Sequence, residues 1–592
     1  MAEYYNPKNE PGVEKRLLIV FALMFVGIAI MQYLGPKPAP QPPKPDAANG
    51  QQQQQQPPPS STPAPSAAAS VKPVTPKKVV PVAGKAAREE TDTVVENDQY
   101  RIVFTNRGAQ VRSWVLKKFK NDKGGPLDMV NPVTAASLGR PLSLFTYDPD
   151  LRKKLNEALF VAGATGNLSA PVSLTFEYAD GETQARKKFE FDQTTYAFKI
   201  ETEVLQKGQA VQAYPQWPGG LGDQATISAY GGGTLDWQQN DSITHSKAQS
   251  GFVVNKKWVS GGATITGPFQ WVATSDQYFA AVFMPETPKD AVLVTLSSPV
   301  EVPRNPDKPD DAKDKVPVLG MAVGSPIGLT RERIFVGPKT VEVLENTQTQ
   351  AKGSDLRGLL DFGMFGFISR PLFLWLKWTY HHMIPNWGWA IGFLTLIINI
   401  VLLPLRITGI KSGLKMQKIQ PQVKVINEKY KRFSLTDPRR AEMQKEMSAL
   451  YKKEGVNPVG GCFPMLLQMP FLFAFYSMLG NAVELRQADW LWIKDLSSPD
   501  PWHILPIGIV ITMFLTQKSA PQAGIDPAQQ KMMQIMTPLM LGLISWSLAA
   551  GLGVYWAFSN LLGYIQQAVM NRTEFGKQVR KTVDRRAAKH RK

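Results

Sequence analysis

Apolar positions are unevenly spaced along the chain, and the spacing changes character from segment to segment. An almost wholly apolar run, Leu17 to Leu34, follows Lys15 and Arg16 and predicts an uncleaved signal anchor over 17–34, with a cytoplasmic amino terminus at 1–16. Residues 35–90 are mostly Pro, Gln and Ala, including QQQQQQPPP. Such a composition cannot bury enough apolar surface to offset backbone ordering, so this segment is expected to be a disordered tether. From 91 to 350 the period shortens to two. QYRIVFTNRGAQVRSWVL alternates and turns at Asn106-Arg107-Gly108, and further short strands break at Asp180-Gly181. One large β-sandwich domain is expected there, with Trp114, Trp217, Trp237, Trp258 and Trp271 in its core and rim. A ligand platform is the alternative for those tryptophans.

Past Gly353 the pattern becomes helical. Residues 356–384, with Pro371, Trp375, Trp378 and Tyr380, predict an amphipathic helix in the membrane interface. Apolar stretches at 387–405, 460–479, 502–516, 532–550 and 552–570 approach the roughly 20 residues that cross a hydrocarbon core. The last two are close enough to force a tight hairpin. The expected fold is therefore a multi-domain membrane protein. It has an α-helical transmembrane core of five spans plus the N-terminal anchor, and a large all-β domain.

Charge sets the orientation. The segment 406–459 and the tail 571–592 are dense in Lys and Arg, whereas the connection 480–501 carries only Arg486 and Lys494. Positive residues stay inside, so the hairpin segment, the loop 517–531 and the tail are cytoplasmic, and the β domain and the 480–501 loop are exported. Within 406–459 a stripe of Leu414, Ile419, Val423, Ile426 and Tyr430 is followed by a second helix, with Asp437 as N-cap and a stop at Gly455. Met443, Met447 and Leu450 share a face of that second helix. They are candidates for a capture surface, because Met adapts to varied apolar partners; a solvated pair that holds nothing is the alternative.

Composition then narrows the chemistry. Across 592 residues the net charge is +18, which implies anionic partners such as phospholipid headgroups or RNA. Cys462 is the only cysteine, and the five histidines have no metal-binding spacing, so no metal or cofactor is expected. Phosphate-loop, nucleophile-elbow and dinucleotide fingerprints are lacking. The spans carry amides and hydroxyls instead: Thr395, Asn399, Gln468, Gln534, Thr537 and Ser559, with prolines at Pro404, Pro464, Pro470, Pro506 and Pro538. Polar groups at that depth face a bundle interior or a wet cavity. Two readings stand: interhelical hydrogen bonds in a tight bundle, or a polar groove lined by Asn399 and Gln468.

The blocks NPVGGCFPMLLQMPFLFAFYSML, VELRQADWLWIKDLSSPDPWHILPI, DPAQQKMMQIM and GVYWAFSNLLGYIQQ resemble the signatures of the YidC family of bacterial membrane protein insertases. The resemblance implies a β-supersandwich periplasmic domain without known catalysis, and residence in the inner membrane with both termini cytoplasmic. It also implies five core spans around a hydrophilic groove lined by Thr395, Asn399, Gln468, Gln534 and Ser559. Substrate contacts carried over by motif are Thr395, Met469, Pro470, Leu472, Tyr555 and Trp556. Implied partners are nascent inner-membrane proteins, the Sec translocon (SecYEG and SecDF), the ribosome through the basic tail, and anionic phospholipids. One departure stands out. The family commonly carries an Arg five positions before the proline closing its first core span, and here that position is Asn399. Arg406, beyond Pro404, is expected at the cytoplasmic mouth, leaving hydration rather than charge to serve the groove. Ala549 likewise stands where relatives often have proline. Rival readings are a transporter with a periplasmic sensor domain and a membrane-anchored sugar-active enzyme using His245. The first would want paired ionisable residues at mid-membrane, the second clustered His and carboxylates.

Overall fold

The computed structural model describes residues 84–589, apart from short stretches at 248–251, 255–256, 260–261, 306–307, 309–311, 351–353, 361, 363–364, 431–432, 434–436, 456–462 and 520–526. The expected anchor and most of the expected tether lie outside the described residues. The β domain begins earlier than the composition suggested: Lys85 pairs with the backbone of Ala179, and Ala87 N donates to Leu159 O at 2.9 Å.

Among the described residues, three larger sheets and a two-stranded ribbon, Phe252–Val254 with Lys257–Val259, build this domain. The largest is antiparallel throughout and runs Ser242–Lys247, Thr234–Gln239, Trp271–Ser275, Phe279–Pro285, Leu329–Pro338, Ala197–Gln206, Thr183–Phe191, Val172–Ala179 and Val161–Ala162. A second joins Pro126–Asp128, Gln110–Lys120, Tyr100–Thr105, Asp92–Glu96 and Gly166–Ser169, the last pair parallel. A third is built on the long hairpin Val292–Pro303 with Lys313–Gly324. Both expected turns are present, with Gly108 at φ 66° and Gly181 at φ 91°, backbone that a side chain tolerates poorly. Trp114, Trp217, Trp237 and Trp271 are buried, and Trp114 packs on Trp217 with ring centroids 6.1 Å apart. They form core rather than a ligand platform; the side chain of Trp258 is outside the described ones.

The domain continues past its last strand. Trp271 Nε1 donates to Asp355 O at 3.1 Å, and Leu356 and Leu359 join the β core. The expected interfacial helix therefore starts later, as α1 (Gly366–His382), and runs through Pro371. Its Trp375 and Trp378 are exposed.

The helical half follows as α2 (Trp387–Val401), α3 (Leu403–Tyr430), α4 (Arg439–Glu454), α5 (Phe463–Asn481), α6 (Ile504–Ser519), α7 (Pro527–Ser545), α8 (Ala550–Arg572) and α9 (Glu574–Lys589). Several bounds differ from expectation. The first apolar stretch ends at Val401, where the chain bends by 63° into α3. Pro404, which has no N–H to give, sits in the first turn after that bend, where none is required. Pro470 does not break α5, which is described as one helix through it. The turn between α7 and α8 is Trp546–Ala549, and Gly551 lies inside α8. Helix α4 begins one residue later than expected, with Asp437 Oδ1 accepting from Arg439 N at 2.9 Å, and Gly455 ends it at φ 59°. Among the described residues no single helix is both long and apolar enough to cross a membrane, although the bent α2–α3 pair is.

Helix α8 is the hub, packed against α6 and α2, while α7 packs on α6 and α5 on α1. Their shared core includes Ile391, Leu394, Phe475, Met478, Leu552 and Tyr555. The connection from α5 to α6 is rigidified by two carboxylates. Asp495 accepts from Gln487 N, Ser497 N and Ser498 Oγ, at 3.0, 2.8 and 2.6 Å. Asp500 takes Trp492 Nε1, Trp502 N and Leu505 N at 2.9, 3.0 and 2.8 Å, satisfying an N–H that the start of α6 leaves free. This connection also docks on the β domain. Arg486 reaches Lys120 O and Asp122, both at 3.0 Å, and Val483 enters the β core.

Candidate functional site: a polar cluster inside the helical bundle

Three helices converge on one polar cluster. Gln468, in the second turn of α5, projects toward α8 and donates from Nε2 to Tyr555 Oη at 2.6 Å and to Ser559 Oγ at 3.0 Å. Tyr555 and Ser559 are four residues apart on α8 and so share a face. The tyrosine ring is fixed by Phe475, stacked at 3.9 Å between centroids and 11° between planes. Arg406, in the first turn of α3, completes the cluster: its guanidinium donates to Gln468 Oε1, and reaches Gln566 Oε1 on α8 at 3.4 Å. Gly563 of α8 lies beside it: a Cβ there would sit 3.5 Å from Arg406 Nη1, an ordinary contact. Every named group but the cation is neutral, so the arrangement offers polar contacts without a counter-ion.

Thr395 and Asn399 line the neighbouring helix differently. Thr395 Oγ1 donates to Ile391 O at 2.7 Å and Asn399 Nδ2 to Thr395 O at 2.8 Å, both within α2. Asn399 Oδ1 is buried and has no hydrogen-bond partner among the described residues. A buried acceptor left open costs about 1–3 kcal/mol, and a water or an incoming donor would relieve it. Gln534 lies half-buried on α7 and is not one of the side chains joining the Gln468 cluster. Of the carried-over contact positions, Leu472, Tyr555 and Trp556 are buried in the bundle, while Met469 and Pro470 are half-buried at its margin.

Two expectations are qualified by these contacts. Arg406 lies past Pro404 and its side chain bonds Gln468 and Gln566, so the cluster holds a cation even though Asn399 is neutral. The proposed capture face also differs. Met447 and Leu450 pack with Tyr451 against Met416, Ile419 and Val423 of α3, so they form the seam of the α3–α4 hairpin. Met443 is half-buried beside Arg440. Helix α3 also packs on α9, so the hairpin seam is one of two surfaces that it covers.

In the β domain, His245 Nδ1 faces Asp236 Oδ1 at 3.0 Å, and the two residues are direct partners in one strand pair. The other Asp236 oxygen accepts from Thr234 at 2.8 Å and Ser275 at 3.1 Å. Both hydroxyls thus lie on the carboxylate that faces the imidazole.

Comparisons with known proteins assign the family. The model of the YidC periplasmic domain matches residues 92–375, and the model of the 60Kd inner membrane protein matches 378–578. A membrane protein insertase YidC of Xanthomonas campestris pv. campestris is 34% identical over 434 residues, covering 69% of this chain and 71% of that relative. This chain belongs to the YidC family. The YidC of Geobacter metallireducens is 29% identical over 595 residues, 95% of this chain and 99% of its own length. An active YidC insertase crystal structure with its first transmembrane domain resolved overlaps 83% of this chain and 94% of its own, at 18% identity and a TM-score of 0.34. In YidC terms the boundary between the two family models falls inside α1, between the β domain and the bundle.

Proposed function

We propose that this chain is an insertase of the bacterial inner membrane, with its β domain in the periplasm and both termini in the cytoplasm. Helices α2, α5, α6, α7 and α8 act as the five core spans, beside the N-terminal anchor. The observation that carries this reading is the Arg406–Gln468–Tyr555–Ser559 cluster. A hydrogen-bonded polar patch with a cation, set among apolar helices, suits a transient seat for the polar flank of a hydrophobic segment.

The physical task is to shorten the low-dielectric path that a polar flank crosses. A segment arriving beside the α3–α4 hairpin rests its flank at the cluster, then slides past Met469 and Pro470 into lipid. Burial of apolar surface, at about 25 cal/mol per Å², supplies the drive, and no nucleotide or cofactor is required. Arg406 adds attraction for acidic flanks. Nascent inner-membrane proteins are the substrates, taken alone or beside the Sec translocon (SecYEG and SecDF). The basic tail favours anionic phospholipids, at about 1 kcal/mol per basic residue near the surface, and ribosomal RNA phosphates. The transporter reading gains nothing from the cluster, which pairs its only cation with amides. Site-specific photocrosslinkers at Met469 and Trp556 should capture a nascent single-span protein during insertion. Capture from both, lost when the substrate's apolar segment is replaced by a polar one, supports the route; no capture from either position overturns it.

A further inference from the structure

The cation of the cluster is not carried by the span that ends at Val401. It belongs to α3, beyond the 63° bend, and α3 continues as one helix from Leu403 to Tyr430. Its far half is locked to α4 by the Met416–Ile419–Val423 seam against Met447, Leu450 and Tyr451. Glu446 of α4 reinforces that lock, accepting from Lys429 Nζ at 2.6 Å and Tyr430 Oη at 3.0 Å. The hairpin and Arg406 thus belong to one continuous helix, and the bend at Leu402 would serve as its hinge. Arg406's bonds to Gln468 of α5 and Gln566 of α8 tie this body to the bundle, and α9, which follows α8, packs along α3 beside them.

We propose that Arg406 is a mechanical link between the cytoplasmic hairpin and the groove, so that swinging the hairpin withdraws the cation and frees the Gln468 carbonyl. This rests on the insertase reading above for its purpose, but not for its geometry. Helix rise fixes the lever. Arg406 is four residues past Leu402, about 6 Å along the axis, and Val423 is 21 residues past it, about 32 Å. A 10 Å swing at Val423 therefore displaces the Arg406 backbone by about 2 Å. The Gln566 contact is already 3.4 Å long and does not survive such a shift. Linkage makes the effect reciprocal: an acidic flank that takes Arg406 from its two glutamines loosens the hairpin by the same free energy. A cation at position 399, on the far side of the hinge, would supply charge without the lever.

The test uses full-length protein in phosphatidylethanolamine–phosphatidylglycerol nanodiscs, with Cys462→Ser and spin labels at Lys445→Cys on α4 and Lys518→Cys on α6. Double electron–electron resonance reads the hairpin position. Arg406→Gln, and separately Gln468→Leu with Gln566→Leu, should each at least double the width of the distance distribution. Should either charge-removing change impair folding, Arg406→Lys retains the charge but not the two-armed reach, and should give an intermediate width. The pair Arg406→Gln with Asn399→Arg should restore insertion of an acidic-flanked substrate while the distribution stays broad. Unchanged widths in Arg406→Gln and in the double-glutamine variant overturn the link, as does a narrow distribution in the charge-relocated variant. Broad distributions with no insertion of any substrate by the parent protein would instead sink the insertase reading and leave the link standing.

Discussion

Gln468 Nε2 lies 2.6 Å from the hydroxyl of Tyr555, whose ring is stacked on Phe475 one helix away. The amide is therefore aimed by a rigid aromatic, and its carbonyl is turned toward Arg406. Tyr555→Phe removes the hydroxyl and keeps the stack. Gln468 retains Ser559 Oγ at 3.0 Å, so the fold should survive, with a loss of about 0.5–1.5 kcal/mol. Insertion of acidic-flanked segments should fall several-fold, measured as protease-protected product per unit time, with apolar-flanked segments little affected.

Asn399→Arg alone should harm the protein. Position 399 is buried, and if α2 is a core span as proposed, an arginine there costs about 2.5–3.5 kcal/mol on insertion scales. Arg406 already supplies a cation two turns away, which adds like-charge repulsion. Thermal unfolding in detergent should shift downward, and acidic-tailed substrates should gain nothing. A marked gain in their insertion would mean that the native cation does not serve them.

Lys377 of α1 pairs with Glu484 at 2.9 Å and with Glu342, tying α1 to the α5–α6 connection and to the helix Val341–Gln350. Burial pulls the ammonium pKa down, but the two carboxylates outweigh it and the net shift is upward. Lys377→Met leaves Glu484, largely buried, without its partner. A destabilisation of about 3–5 kcal/mol is expected, larger than that of Glu342→Gln, whose carboxylate is mostly exposed. Denaturant titration of both variants checks the order.

Lys187 lies wholly inside the β domain, with Nζ donating to the carbonyls of Gly108, Ala109 and Leu142 at 2.7, 3.0 and 2.7 Å. Burial lowers its pKa to about 7, against about 10.4 in an unfolded chain. Between those values the unfolded state holds a proton that the folded state has released. This group's contribution to stability therefore rises with pH through that window and is flat below it. Lys187→Met should abolish that slope and cost about 2 kcal/mol or more, because the three carbonyls lose their donor. Urea midpoints from pH 6 to 9, compared with the parent, measure both effects.

Gly388 opens α2 against Trp490, where a Cβ would lie 2.2 Å from the indole Cγ. Gly388→Ala should displace the indole and cost about 1–3 kcal/mol. Increased protease cleavage within 480–501 is the readout.

Much of the architecture was legible because it depends on local pattern. The β-period segments, the Asn106–Gly108 and Asp180–Gly181 turns and the Gly455 stop are set by residues adjacent in sequence. The apolar stretches likewise located the helices, though not their ends. The α7–α8 turn is placed by Ser498 O and Leu496 O, which accept from Ala550 N and Gly551 N at 2.8 Å each, partners about 50 residues away. The polar cluster was half legible. Gln468 and Ser559 stood out as amide and hydroxyl in apolar runs, but the contacts of Arg406 with Gln468 and Gln566 depend on the bend at Leu402, which no local pattern gives. Met447 and Leu450 were read as a free face because a one-helix pattern cannot say which surface covers it.

Val483 belongs to the bundle by sequence and to the β core by packing. The β domain therefore does not own all of its interior: one filling side chain is supplied by the connection that follows α5. Until that connection docks, the sandwich packs incompletely at this place, so the final consolidation of the sheets is coupled to the folding of the helices.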